Sequence, residues 1–329
     1  MIITRTPLRI SLAGGGTDLQ SYYLKEEGQV INMAIDKYLY VVVKKQLGIV
    51  EYKYRINWST VEFCNEINNI KHPIVREALK FFKIDFPIEI TTFSDVPANT
   101  GLGSSSTFAV GLVYALCSLL GKNTSKYFIA STAAKIEINL VKRIIGKQDH
   151  FASTYGGLNV FTFKKDDTVK VEPIICNKKT YKYLENNLLL FYIGDKRNST
   201  SILKKQNSRS NKNISILTKM KHQVFEIKKI IESDNKIYNI GSILNNGWDL
   251  KKRLTNSISS KKIDNIYYKA MKNGSLGGKI LGAGGGGFIL LFVPKRKQKI
   301  IKNLLKNYYF MPFSIDVSGT RITYFDNRL

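Results

Sequence analysis

Cysteine is scarce: Cys64, Cys117 and Cys176 lie far apart in apolar or mixed segments of a 329-residue chain. That number and spacing provide neither a disulfide framework nor a thiolate metal cage, so the chain reads as a reduced, cytoplasmic protein. Histidine is equally sparse. His72, His150 and His222 are scattered, which leaves no basis for a zinc site. Long apolar runs are missing as well: the longest, residues 107–121, is interrupted by Gly111 and Ser118 and is too short to span a bilayer. The N-terminal stretch carries Arg5, Pro7 and Arg9 among its apolar residues, which is not the pattern of a signal peptide. Acidic residues are outnumbered, 25 against 51 basic ones, for a formal net charge of +26. An excess of this size suggests anionic partners. Most of the basic residues, however, are lysines dispersed along the chain beside many asparagines and isoleucines, as codon bias in an A/T-rich genome would produce. The reading is therefore a solvated lysine surface that attracts small phosphorylated ligands, with no nucleic-acid and no membrane partner.

What is present fits a globular chain with one large core or two ordinary ones. Short β-branched and aromatic runs at 4–13, 38–45, 53–58 and 88–93 predict strands, and 72–83 has helical spacing. A buried helix is expected from Phe108 to a stop at Gly121, and a second over 126–143, ended by Gly146. A turn then leads through QDHFASTYGGLNVF into a strand, and 187–193 reads as another. Residues 195–215 are polar and basic and read as a surface loop, at least in their second half. Helices are predicted near 215–233, 236–254 and 260–273, followed by a strand-loop-strand over 279–294, a helix at 295–307 and a strand at 321–325. The order implies an α+β protein of two domains, divided as 1–185 and 186–329.

Three glycine clusters stand out: AGGGTDL at 13–19, NTGLGSSST at 99–107 and GAGGGGF at 282–288. Glycine lets the backbone approach a ligand and take positive φ. Gly101 to Ser106 stands where a helix begins, and the amides and dipole of a helix N-terminus attract anions. No Gly-Lys-Ser/Thr follows, so none of the three is a Walker loop, and GAGGGGF leads into a strand, unlike a dinucleotide fingerprint. Three unrelated tight turns would explain each cluster alone; loops converging on one nucleotide cleft explain them together.

The three clusters resemble the ordered signatures of the GHMP kinases, the superfamily of galactokinase and of homoserine, mevalonate and phosphomevalonate kinases. TPLRISLAGGGTD (6–18) is similar to the first signature, PANTGLGSSS (97–106) to the second and KILGAGGGGF (279–288) to the third. The resemblance implies a kinase using ATP and Mg²⁺. It also implies an N-terminal domain like domain 2 of ribosomal protein S5 and a ferredoxin-like C-terminal domain. Phosphoryl transfer needs charge neutralisation, in-line positioning and a destination for the hydroxyl proton. By resemblance Pro97, Asn99, Gly101, Leu102, Gly103, Ser104, Ser105 and Ser106 bind the nucleotide phosphates. Ser105 and Glu137 hold the metal, and Asp149 is the base. Arg9 is expected to keep Asp149 ionised and to steady developing charge. The substrate set is Gly14, Gly15, Gly16, Thr17 and Asp18, the aspartate accepting hydrogen bonds from sugar hydroxyls, with Gly284, Gly285 and Gly286 from the third loop. Galactokinases carry Glu-His where this chain has Gly15 and Gly16, which makes room for a larger or differently oriented sugar.

Further stretches, among them AGGGTDLQSYY, KHPIVREAL, GKQDHFASTYGG and GDKRNSTSIL, resemble the D-glycero-D-manno-heptose 7-phosphate kinase branch. That branch phosphorylates the anomeric hydroxyl of the heptose phosphate, for nucleotide-activated heptose used in lipopolysaccharide, capsule or S-layer glycans. Arg197, among hydroxyl and amide donors, suits a phosphate already on the sugar; Lys196, Lys204 and Arg76 are weaker choices. Three alternatives are another sugar 1-kinase (fucose-, hexosamine- or octose-type), a silent sugar or nucleotide sensor, and a nucleic-acid-binding module. The expected partners are ATP and a small sugar phosphate, and the expected state is a monomer or homodimer.

Overall fold

The computed structural model describes residues 1–194, 199–209 and 212–326. Its strands are β1 (Ile2–Ala13), β2 (Gly28–Lys45), β3 (Tyr54–Asn57), β4 (Val61–Cys64), β5 (Ile88–Ser94) and β6 (Leu158–Phe163). They continue with β7 (Val169–Pro173), β8 (Leu188–Gly194), β9 (Gly277–Ile280), β10 (Gly287–Phe292), β11 (Tyr309–Phe310) and β12 (Arg321–Phe325). The α-helices are α1 (Gln20–Tyr23), α2 (Pro73–Phe81), α3 (Ser104–Leu119), α4 (Lys126–Lys135), α5 (Gln148–Tyr155) and α6 (Lys178–Asn187). They are followed by α7 (Ser199–Ser208), α8 (Ile214–Ser233), α9 (Ile240–Leu254), α10 (Lys261–Lys272) and α11 (Gln298–Leu304). No helix among the described residues is long and apolar enough to cross a membrane.

The first sheet runs β12-β1-β2-β5-β3-β4, and the front half of the long β2 also pairs with β6, which pairs with β7. β1 is buried along almost its whole length because α3 and α5 on the one hand and α8 on the other pack against it. Its buried polar residues, Thr4, Thr6, Arg9 and Ser11, therefore lie among buried Leu8, Ile10, Leu12 and Ala13. The second sheet is antiparallel, ordered β11-β8-β10-β9. Counted from β8, this is the 4-1-3-2 order of a ferredoxin-like unit, with α7, α8, α9 and α10 between its first two strands and α11 before its last. The architecture is thus the expected α+β pair, an S5-domain-2-like layer and a ferredoxin-like layer. Their apolar faces meet in a shared cluster that includes Leu8, Ile10, Leu12, Val224, Leu244, Leu281 and Phe288.

Several boundaries differ from the sequence reading. The single helix over 126–143 stops at Lys135 and widens into a π turn, Ile136–Leu140, closed by Val141 N–H on the Ile136 carbonyl at 2.9 Å. Residues 148–155 form helix α5 where only a turn was expected. The polar 195–215 stretch contains helix α7, whose Ile202 and Gln206 are buried; its composition hid a single inward stripe. α3 begins at Ser104, a turn before the expected Phe108, and ends where expected. Gly121 takes φ +65°, and Lys122 N–H bonds the Cys117 carbonyl at 2.9 Å, a Schellman-type stop.

Candidate active site

The three glycine loops do converge. The turn after β1, the N-terminus of α3 and the loop between β9 and β10 open onto one cleft, with the first turn of α5 on its wall. The α3 loop and the β9–β10 loop touch backbone to backbone. A Cβ on Gly101 (φ +91°) would lie 2.6 Å from the Leu281 carbonyl oxygen, and Phe288 N–H donates to the Thr100 carbonyl at 3.1 Å. The amides of Ser104, Ser105 and Ser106 precede the first helical bond, Thr107 N–H to the Gly103 carbonyl at 3.0 Å. They therefore have no partner within α3 and stand free for an anion.

Arg9, on β1, is buried and grips Asp149, in the first turn of α5, with both arms: Nε to Oδ1 at 2.6 Å and Nη2 to Oδ2 at 2.7 Å. Its third donor, Nη1, holds the Gly101 carbonyl at 2.8 Å, tying the pair to the α3 loop. A fork-to-fork ion pair of this kind fixes the carboxylate in position and plane. Asp18 lies close by and is buried. It accepts Gly16 N–H on Oδ1 at 2.9 Å and Gln148 N–H on Oδ2 at 3.3 Å. Burial, and then the charge of Asp149, raise its carboxyl above the ordinary value, against the pull of those amides.

Glu137 sits in the π turn and is fully buried. The Ser105 hydroxyl and Arg143 Nη1 donate to its Oε1, and the Ser106 hydroxyl donates to Oε2 at 2.9 Å, where His150 Nε2 also lies at 2.9 Å. Burial pushes this carboxyl up, yet the bond and charge of His150, then Arg143 and Ser105, outweigh it and hold it down at about 2. Glu137 is thus buried within a π turn, a feature that regular helical spacing in the sequence does not announce.

Of the residues expected at the site, Arg9, Gly15, Gly16, Asp18, Asn99, Gly101, Gly103, Ser104, Ser105, Ser106, Glu137, Asp149, Gly284 and Gly286 line the cleft. Others do not. The Thr17 hydroxyl is consumed by the Gly14 and Gln29 carbonyls, each at 2.8 Å, and Leu102 belongs to the core. Pro97 offers its carbonyl to Thr100, Gly14 is packed against Gln29, and Gly285 N–H bonds the Ile258 carbonyl. Arg197 and Lys196 fall outside the described residues. Arg76 pairs with Glu77 on α2, and Lys204 is exposed on α7. The sequence reading passed over Lys251 and Lys279, which line the same cleft while more than nine-tenths buried. It also passed over Arg143 and Gln148. The only sequence signal for Lys279 was its place at the head of the third glycine motif.

Comparison with known proteins matches residues 70–157 to the model of the GHMP kinases N terminal domain and 227–309 to that of the GHMP kinases C terminal domain. The chain is 31% identical to the D-glycero-alpha-D-manno-heptose 7-phosphate kinase of Campylobacter jejuni subsp. jejuni serotype O:2, over 97% of this chain and 98% of that protein. The chain belongs to the GHMP kinases. A galactokinase of Pyrococcus furiosus is 26% identical, with 95% of each chain covered. Among solved structures, a D-glycero-D-manno-heptose 1-phosphate kinase from Bacteroides thetaiotaomicron shares the fold at a TM-score of 0.81, with 22% identity, 99% of this chain and 100% of that one covered. As a GHMP kinase this protein is a kinase, and its family uses ATP.

Magnesium can be tested against the donor set. Glu137 and the Ser105 hydroxyl present oxygen ligands to one point, and a cation, the Arg143 guanidinium, already sits against both. Among the described residues no group of three or more His, Cys, Asp or Glu side chains could cage a metal. One carboxylate and a hydroxyl beside a phosphate site fit Mg²⁺, which keeps waters and leans on substrate phosphates.

Proposed function

We propose that this GHMP kinase transfers the γ-phosphoryl group of ATP to the anomeric hydroxyl of D-glycero-D-manno-heptose 7-phosphate, giving the 1,7-bisphosphate. The observation that carries the chemistry is the Arg9–Asp149 pair, bound to the α3 loop through Gly101 and sharing one cleft with Asp18. The amides of Ser104 to Ser106 hold the nucleotide phosphates, and Ser105 with Glu137 would hold Mg²⁺, whose charge offsets that of the phosphates. Asp149 accepts the proton of the anomeric hydroxyl. Both of its oxygens are held by Arg9, yet each keeps a lone pair free for that hydroxyl. A loose transition state, in which the proton leaves late, asks for a positioned acceptor more than a strong base. Arg9 keeps the carboxylate aimed and adds positive charge where the phosphoryl group crosses. Asp18 accepts hydrogen bonds from sugar hydroxyls, and Gly15 leaves space beside it, whereas Gly16 is backed by Gln206 and Leu217. We further propose that residues 1–185 hold nucleotide, metal and base, and that 186–329 close the cleft over them. The heptose reading is supported by the similarity to the C. jejuni enzyme along nearly the whole chain.

A second reading keeps the reaction and changes the sugar, because the open space at Gly15 accommodates other sugars equally. Phosphorus NMR of the protein with MgATP and heptose 7-phosphate, galactose, fucose or mannose 6-phosphate separates the two. An anomeric phosphate signal with the heptose phosphate alone is expected. A signal from an unphosphorylated sugar instead overturns the heptose reading, and no product with any sugar overturns both.

Gly146 offers a sharper probe of Asp18. A Cβ there would lie 1.8 Å from Asp18 Oδ2, so Gly146→Ala must displace that carboxylate while leaving Asp149 and α3 in place. Losing a hydrogen bond to a charged group corresponds to about a 10- to 100-fold effect. The expected result is a rise of that size in KM for the sugar with KM for ATP unchanged, measured by steady-state kinetics. An unchanged sugar KM would remove Asp18 from the acceptor site.

A further inference from the structure

Beneath the β9–β10 loop two lysines point into the cleft from different elements. Lys251, on α9, donates to the carbonyls of Ile280 at 3.1 Å and Gly282 at 2.5 Å. Lys279, on β9, donates to the Leu12 carbonyl of β1 at 3.2 Å. Both are more than nine-tenths buried, and among the described residues neither forms an ion pair with a carboxylate. Their charged neighbours are one another and Arg9, and Arg9 is already neutralised by Asp149. Burial first, and then these cations, bring the Lys279 ammonium down to about 8 and the Lys251 ammonium well below its ordinary value.

Buried ammonium groups without a counter-charge are costly, and a loop that only needed its carbonyls satisfied could use neutral donors. Each ammonium has three donors. The carbonyls take one from Lys279 and two from Lys251, so donors of both remain for a ligand. The Leu12 carbonyl that anchors Lys279 immediately precedes the Ala13–Asp18 turn, on the acceptor side of the cleft, while Gly282 borders the α3 loop on the nucleotide side. The pair therefore stands between the two substrates.

We propose that Lys251 and Lys279 form a phosphate subsite under the third glycine loop, which binds a phosphate monoester dianion. This rests on the kinase reading above. The dianion has two sources, the phosphate the acceptor already carries or the phosphoryl group in transfer, and kinetics tells them apart.

Lys251→Met and Lys279→Met keep most of the side-chain volume and remove the charge. Each would be assayed with heptose 7-phosphate and with the unphosphorylated heptose. If the subsite holds the acceptor's phosphate, KM for the phosphorylated sugar rises about 10- to 100-fold and that for the free sugar does not move. If it holds the transferred group, kcat falls by a similar factor with both sugars at unchanged KM. Either result supports the subsite. Folded variants whose constants stay at wild-type values with both sugars overturn it, and assign the lysines to the loop carbonyls alone. A wild-type enzyme that phosphorylates only free sugars defeats the heptose phosphate reading by itself, and the lysines are then judged on kcat.

Calorimetry on the wild-type protein guards against variants that fail to fold. At pH 8.5, in two buffers of different ionisation enthalpy, it is titrated separately with heptose 7-phosphate and with MgATP. Net proton uptake with at least one of them is expected, because the bound dianion favours the charged lysines. Uptake with neither overturns the proposal.

Discussion

Asp149→Asn is expected to lower kcat by about 10²- to 10⁴-fold, the range over which a positioned general base contributes. Asparagine is nearly isosteric and retains one oxygen for Arg9, so the cleft is kept. Its amide group, however, turns N–H donors toward a guanidinium that is itself all donors. Arg9 is buried, and its remaining bond to the Gly101 carbonyl then becomes its firmest anchor. Nucleotide binding, proposed above for the α3 amides, should survive. The measurement is single-turnover transfer at saturating MgATP alongside a separate ATP titration. Turnover at the wild-type rate would remove Asp149 from the chemistry. Loss of ATP binding together with turnover would mean that the Arg9–Asp149 pair chiefly shapes the loop.

The second large effect is expected at Glu137. Glu137→Gln removes the charge that answers both Arg143 and His150, and leaves an amide where two oxygens met four donors. The Mg²⁺ concentration for half-maximal rate should rise by at least about 10- to 100-fold, the size of effect seen even for groups one step removed from a metal. Stability should fall by about 1.5–3 kcal/mol for the charge-assisted bonds lost. Both are read from one preparation, by a Mg²⁺ titration of activity and by urea unfolding. A stability loss with an unshifted Mg²⁺ requirement would make Glu137 a purely structural anchor for α3.

The two effects also show which parts of the site were legible. The glycine loops announce themselves because backbone approach and positive φ demand glycine in short runs, and runs are visible in sequence; Arg9, Ser105 and Asp149 came only with the motifs those runs belong to. The placement of Glu137 was not legible in the same way. Residues 126–143 have ordinary helical spacing, and nothing in that spacing tells that the ladder slips to a π turn at Ile136. Thr17 misled in the opposite sense: adjacent to Asp18, it reads as a partner on the sugar, but a β-branched hydroxyl in a tight turn satisfied the loop's own carbonyls first. Lys251 and Lys279 were lost among the chain's 51 scattered basic residues because its lysine content masks any single one; only tertiary burial sets them apart. The layers of the fold were read well from strand runs and amphipathic helices. α7 was not, since a short helix with one buried stripe looks like a polar loop in composition.

Strand β12 pairs with β1, from Ile2↔Phe325 to Arg5↔Arg321, and the Thr6 and Thr320 hydroxyls meet 2.8 Å apart. β1 also carries Arg9. During synthesis, at roughly 5–20 residues per second, on the order of 15–60 s separate the emergence of β1 from that of its outer neighbour. Throughout that interval β1 offers an unpaired hydrogen-bonding edge, the kind of surface that recruits strangers. Strand β12 thus acts as a clasp fastened long after β1 has been made. Chains broken off before residue 321 would carry every loop of the cleft and still lack it, which makes them candidates for aggregation and for chaperone capture.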